Sequence, residues 1–276
     1  MPLLPDFAPY QVCYNRRFMA RTVFLCAILS WIWRYYNGVL LHQIGVPILQ
    51  HPHLDYTYWA WAYSGLPHKL LQQNGGIYID LAWLLAAIGM VWFEKNTVLP
   101  VLFFACTLVY HLTFSLYDGW MNAFFIGFLL VPLPFFTKNK RLFSLLMDGL
   151  RYYVIFIYFS SFLWKIADGF FLNFEEGQAV IANNIDFWLF ERPNTVSSAI
   201  YTYFIEHQSL SYVLMCLGAV SQAVFVVGFF TKKYDIILFV LPFLFHFLAY
   251  YFLEVAFFEF LVLQLVFLHK PAISSQ

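Results

Sequence analysis

The residues whose types and positions could do chemistry are a lysine, two histidines and an acid set in apolar surroundings: Lys165, His111, His246 and Glu259. Ionisable groups in such places are expensive to keep and mark functional sites by default. Lys165 closes the apolar run 143–166, just ahead of Ala167-Asp168-Gly169. An amine there is either an anchor whose stem reaches back to the headgroups, or a desolvated group whose ammonium form is penalised and which can act as a base. His246 supplies an imidazole for catalysis, or a hydrogen bond between helices. Glu259 tunes such a site electrostatically, or pairs with Lys165 or a histidine as structural glue. Trp120, Asn122, His111 and Tyr250 would line the ligand side of the same layer, with Trp120 equally suited to an interface belt. Arg151 and Asp148, three apart in one run, read as a structural pair, and Gln222 as structural too.

The elements that must position these groups follow from composition. Only 11% of the 276 residues are charged and 62% are hydrophobic, whereas a soluble domain carries about a quarter charged residues. Long apolar runs with short charged punctuation define a polytopic helical membrane protein whose surroundings are the lipid bilayer. The formal net charge is zero, so nucleic acid is not an expected partner. Apolar runs predict helices near 18–37, 77–94, 97–117, 120–137, 143–166, 209–230, 234–252 and 255–270. The expected fold is an all-α bundle of about eight transmembrane helices, a single domain over 1–276.

Charge in the connections orients the bundle. Arg16, Arg17 and Arg21 precede the first run, Lys95 follows the second, Lys138, Lys140 and Arg141 the fourth, Lys232 and Lys233 the sixth, and Lys270 the last. The alternate connections carry Asp118, Asp168, Glu175, Glu176 and Glu254. The positive-inside rule then puts both termini in the cytoplasm. His111 lies about 20 Å, and His246 about 18 Å, from the inner ends of their helices. Lys165, Glu259, Trp120, Asn122 and Tyr250 belong to the same outer layer. Two longer outer connections, 38–76 and 167–208, are apolar and aromatic and read as a lid lying in the interface or re-entering the bundle.

Other chemistries find no support. Cys13, Cys26, Cys106 and Cys216 fall singly, in no metal-binding or redox spacing. No P-loop, GxSxG, HExxH or EF-hand pattern occurs, and His51-Pro52-His53 reads as a turn. The basic opening lacks a small-residue cleavage site, since Trp31, Trp33, Arg34 and Tyr35 follow, so the first helix is expected to be retained.

The run Tyr158-Phe159-Ser160-Ser161-Phe162-Leu163-Trp164-Lys165-Ile166, with Asp168 and Gly177 after it, resembles a signature stretch of the membrane domain of the vitamin K-dependent gamma-carboxylases. It equally resembles their bacterial relatives, the horizontally transferred transmembrane (HTTM) proteins. Trp120-Met121-Asn122-Ala123 is similar to that family's Trp-Asn-Asn-His segment, and Gly228-Phe229-Phe230 with Lys233 and His246 to its late membrane region. The resemblance implies a reduced quinone as cofactor, with Lys165 as the base that deprotonates it. Ala123 stands where the carboxylases have a functional histidine, and their large lumenal part has no counterpart here. Glutamate carboxylation by this chain alone is therefore not expected.

Two functional readings follow. One is an HTTM-like membrane protein, in a bacterial cytoplasmic membrane, with an outward-facing pocket for a quinone or lipid. The other is a non-catalytic subunit of a larger membrane assembly, its polar layer serving as helix glue. A transporter is weaker, for no inverted repeat or pair of broken helices is evident.

Overall fold

The computed structural model describes residues 12–45, 56–72, 74–116, 125–253 and 259–271. The described residues are helical apart from turns and a short antiparallel pairing of Val12–Cys13 with Lys270–Pro271. Contacts divide the chain into two units, Met1–Leu150 with Glu259–Gln276, and Arg151–Phe258.

The first unit contains α1 (Arg16–Tyr36), α2 (Tyr56–Tyr63), α3 (Leu66–Gln72), α4 (Gly75–Trp92), α5 (Val98–Phe114) and α6 (Ile126–Leu130). Tight 3₁₀ segments cover Leu133–Phe136 and Phe260–Phe267. Helix α7 (Lys140–Ala167) starts here and continues into the second unit. Asparagines open several of these helices. The side chain of Asn15 accepts from the Phe18 amide, Asn96 from Val98 and Leu99, and Asn139 from Arg141 and Leu142, answering amides that a helix start leaves without partners.

At the start of α1, the Arg16 guanidinium donates to the carbonyls of Glu94 (2.8 Å), Phe135 (3.0 Å) and Thr137. At its far end, the Trp31 indole donates to the Asp80 carbonyl, early in α4 (3.1 Å). Helices α1 and α4 are therefore antiparallel. Trp83 of α4 donates to the Thr107 hydroxyl of α5 (2.7 Å), and Tyr110 of α5 to Asp80, so α5 turns back again. Between them lies an aromatic core. Trp83 stacks on Phe103 with ring centroids 4.8 Å apart, and Phe24 meets Phe103 edge-on at 5.1 Å. Such pairs contribute about 0.5–1.5 kcal/mol beyond area burial.

The second unit holds α7 from Arg151 onward, α8 (Glu176–Glu191), α9 (Val196–Glu206), α10 (Gln208–Ala223), α11 (Val227–Phe230) and α12 (Asp235–Leu253). Gly169, at φ 72°, ends α7 in the left-handed conformation that glycine tolerates. The stretch expected as an outer lid, 167–208, is folded into α8 and α9. Ile181 and Ile185, one turn apart, bury their side chains with Tyr201 and Phe252, a helical period hidden among acids and aromatics. Likewise α2 and α3 occupy part of 38–76.

Among the described residues, four helical stretches are long and apolar enough to cross a membrane: Gly75–Trp92, Lys140–Ala167, Gln208–Phe230 and Asp235–Leu253. The other four expected crossings fall outside that measure of length and composition for separate reasons. Helix α1 is long enough but carries Arg16, Arg17, Arg21 and Arg34. Helix α5 has 17 residues. The fourth expected helix is broken after Leu130, where Pro132 and Pro134 remove backbone donors. The last expected helix is the 3₁₀ segment Phe260–Phe267.

Gly177 lets α8 approach α10. A Cβ there would lie 2.6 Å from the Ser211 carbonyl oxygen and 2.9 Å from the Tyr212 nitrogen, atoms that cannot rotate away. Gly177→Val is expected to destabilise the second unit by about 1–3 kcal/mol, read as an earlier thermal unfolding transition in detergent. An unchanged transition would contradict this packing.

Candidate functional site

Arg151, Tyr158 and Lys165 are spaced seven apart on α7. Seven residues make just under two turns, so the three recur on one face about 10.5 Å apart along the axis. Each meets a polar partner from another helix of the second unit. Arg151, with no exposed surface, closes its fork on Asp235 at the start of α12, Nε to Oδ2 at 2.7 Å and Nη2 to Oδ1 at 2.6 Å. Its Nη2 also donates to the Thr231 carbonyl (3.2 Å). Spacing along the helix leaves Asp148 able to pair with Arg151. The carboxylate that closes the fork is Asp235, 84 residues on, for a buried guanidinium is best answered by both oxygens of a facing carboxylate.

Two turns further along, the Tyr158 hydroxyl is 2.8 Å from His246 Nε2, and the Tyr158 ring stacks on Phe225 at 4.3 Å. At the last level, the Lys165 amine donates to Ser161 Oγ (3.1 Å), one turn back on its own helix, and to Gln222 Oε1 of α10 (3.0 Å). Gln222, read from sequence as merely structural, thus touches the candidate lysine. The partners fix directions. Along α7 from Arg151 to Tyr158, contacts on α12 run from Asp235 to His246, so these helices are parallel. Contacts on the preceding segment run backwards from Thr231 to Phe225 to Gln222, so it is antiparallel to both.

The three levels differ in charge. Arg151 has a carboxylate, Tyr158 an imidazole, and both acceptors of the Lys165 amine are neutral. Lys165 is half-buried, whereas its neighbour Trp164 is 68% exposed, so the lysine faces inward while the tryptophan faces the surroundings. Lys165 and His246 lie on successive levels of one stripe. Tyr250 is one turn beyond His246 on α12 and half-exposed.

Glu259 and His111 belong to the first unit. Glu259 Oε1 accepts from Ser30 (2.6 Å) and from Arg34 Nε (2.8 Å) and Nη2 (2.7 Å). The Arg34 guanidinium lies over the rings of Phe125 (4.3 Å) and Phe114 (5.3 Å), a cation–π arrangement suited to a buried arginine. The partner that sequence reasoning sought for Glu259 in Lys165 or a histidine is Arg34. His111 is half-buried on α5. Trp120 and Asn122, with Ala123, His51 and His53, lie outside the described residues.

Sequence reasoning passed over Asp80. It is 1% exposed, and its carboxylate accepts from the backbone amides of Leu41 (3.2 Å) and His42 (3.1 Å), from His42 Nδ1 (2.6 Å) and from the Tyr110 hydroxyl. The available signal was one acid inside GGIYIDLAWLLAAIGM. Among the described residues, no group of three or more metal-ligating side chains occurs.

No family model, curated protein or solved structure compared with this chain matches it. What can be assigned therefore rests on the two polar clusters themselves. Glu259→Leu strips the buried Arg34 of its counter-charge and is expected to cost about 3–5 kcal/mol. Ser30→Ala, which removes one hydrogen bond to the same oxygen, is expected to cost about 0.5–1.5 kcal/mol. Thermal unfolding of the two variants in detergent checks the order, and equal effects would contradict the pairing.

Proposed function

We propose that the chain is a polytopic membrane protein of the HTTM and gamma-carboxylase membrane-domain kind, whose second unit binds a quinone or a lipid beside Lys165. In this reading Lys165 is the base and His246, held by Tyr158, orients the ligand. The reading rests above all on the Lys165 amine, held inward by two neutral acceptors one level from the Tyr158–His246 pair. A neutral environment for an amine favours a proton acceptor over an ion-pair anchor. Tyr250, one turn beyond His246, would line the same pocket.

The topology we propose has about eight crossings and both termini in the cytoplasm, in a bacterial cytoplasmic membrane. Its support is the alternation of helix direction within each unit. The turns carrying Lys95 and Lys138 lie at the Arg16 end of the first unit. In the second, the turn carrying Lys232 and Lys233 lies at the Arg151 end, opposite Lys165.

A second reading has its own observation in favour. Arg151, Tyr158 and Lys165 are all answered by protein groups, as helix glue in a non-catalytic subunit would be. The test separates the two. The chain is purified in mild detergent as wild type and as Lys165→Arg and Lys165→Met, each checked for folding by circular dichroism. Organic extracts are analysed by mass spectrometry. The proposal expects a lipophile with a quinone or other oxygen-bearing headgroup on the wild type, reduced at least tenfold in both variants. An extract of bulk phospholipid alone, unchanged by the substitutions, would overturn it and leave the subunit reading.

A further inference from the structure

The Arg16 guanidinium draws three chain segments of the first unit to one point. It opens α1, and its hydrogen bonds go to the carbonyls of Glu94, Phe135 and Thr137. It also packs over the Phe135 and Phe143 rings, with its central carbon 5.4 and 5.1 Å from their centroids. Each segment places a cation in the position next to its contact: Arg17 after Arg16, Lys95 after Glu94, and Lys138 after Thr137. Lys140 and Arg141 follow in the first turn of α7, and neither α1 nor α7 has an acid in its first turn. Arg17, Lys95, Lys138, Lys140 and Arg141 are all exposed. Glu94 is the only acid in these segments, and its electrostatic attraction acts on Arg16.

Among the described residues, no ion pair involves Arg17, Lys95, Lys138, Lys140 or Arg141; those that form include Arg34–Glu259, His42–Asp80 and Arg151–Asp235. Arg16 is consumed structurally: its hydrogen bonds close the two turns, and its charge is half-sheltered between rings. The other five cations would repel one another in water and weaken the end of the unit they occupy. They are held together by a clamp that is itself an arginine, so their spacing is built into the fold. The nearby exposed apolar side chains, Trp92, Phe93 and Leu142, give the same end a surface suited to acyl chains.

We propose that this cationic collar binds the phosphate headgroups of anionic phospholipids at the inner leaflet. Four to eight lysines and arginines beside membrane helices form such a site, each adding to the attraction. The inference rests on the membrane placement proposed above and extends it from a general bilayer to lipid selectivity at one end of one unit. A lipid fits better than a free anion because the cations flank apolar surface, so one ligand satisfies both.

The test is native mass spectrometry of the full chain in detergent, titrated with phosphatidylglycerol or phosphatidylcholine. The wild type is expected to prefer phosphatidylglycerol by at least tenfold. The variant Lys95→Gln/Lys138→Gln/Lys140→Gln is expected to lose most or all of that preference, since each cation contributes to it, and Lys95→Arg/Lys138→Arg/Lys140→Arg to keep it. Raising salt should weaken the wild-type preference, while millimolar inorganic phosphate should leave it intact. No preference, a preference unchanged in the glutamine variant, or full competition by inorganic phosphate would overturn the inference. A chain that fails to enter vesicles of either lipid would instead refute the membrane placement itself.

Discussion

A guanidinium with no exposed surface, in a bundle rich in phenylalanine, valine, leucine and isoleucine, is the constraint on which the second unit depends. Removing Arg151 from water costs several kcal/mol, and only good geometry repays it. Asp235 supplies both oxygens, and the Thr231 carbonyl takes a further proton. Because the three groups sit on α7, at the start of α12 and in the turn between α11 and α12, this one contact sets the register of three helices. Slipping any of them by a turn would leave a charge buried and unanswered.

The next two levels follow from that register. With Arg151 and Asp235 face to face, Tyr158 meets His246 and Lys165 meets Gln222. The levels differ in what they leave available. A bidentate arginine–carboxylate pair balances its own charge. An amine facing a hydroxyl and an amide oxygen is not neutralised, and this is why Lys165 is the candidate for chemistry and Arg151 is not. The first unit uses the same solution: Arg34 is answered by Glu259 and by aromatic faces, and Asp80 by four donors.

Much of this was legible before any coordinates. The long helix ending at Lys165, its termination near Gly169, and the membrane character of the apolar runs follow from composition and local chemistry. The interest of Lys165 and His246 was visible because ionisable groups stand out among apolar ones. Partners were another matter. The fork of Arg151 closes on an acid 84 positions away. Glu259 and Arg34 are 225 apart. Such pairings are decided by tertiary packing, to which local spacing is blind. In the outer connection 167–208, acids and aromatics masked the Ile181–Ile185 period that makes part of it helical. Apolar runs also say little about helix regularity: Pro132 and Pro134 break one, and the last coils into a 3₁₀ segment.

The direct test is whether Arg151 and Asp235 behave as one unit. Arg151→Met and Asp235→Leu, alone and combined, can be compared by reversible unfolding of the full chain in detergent. The account predicts that each single change costs about 3–5 kcal/mol, because it strands the other charge, while the double change recovers most of that loss. Losses that simply add would contradict it: the register of the three helices, and with it the placing of Lys165 and His246, would then be set by something else.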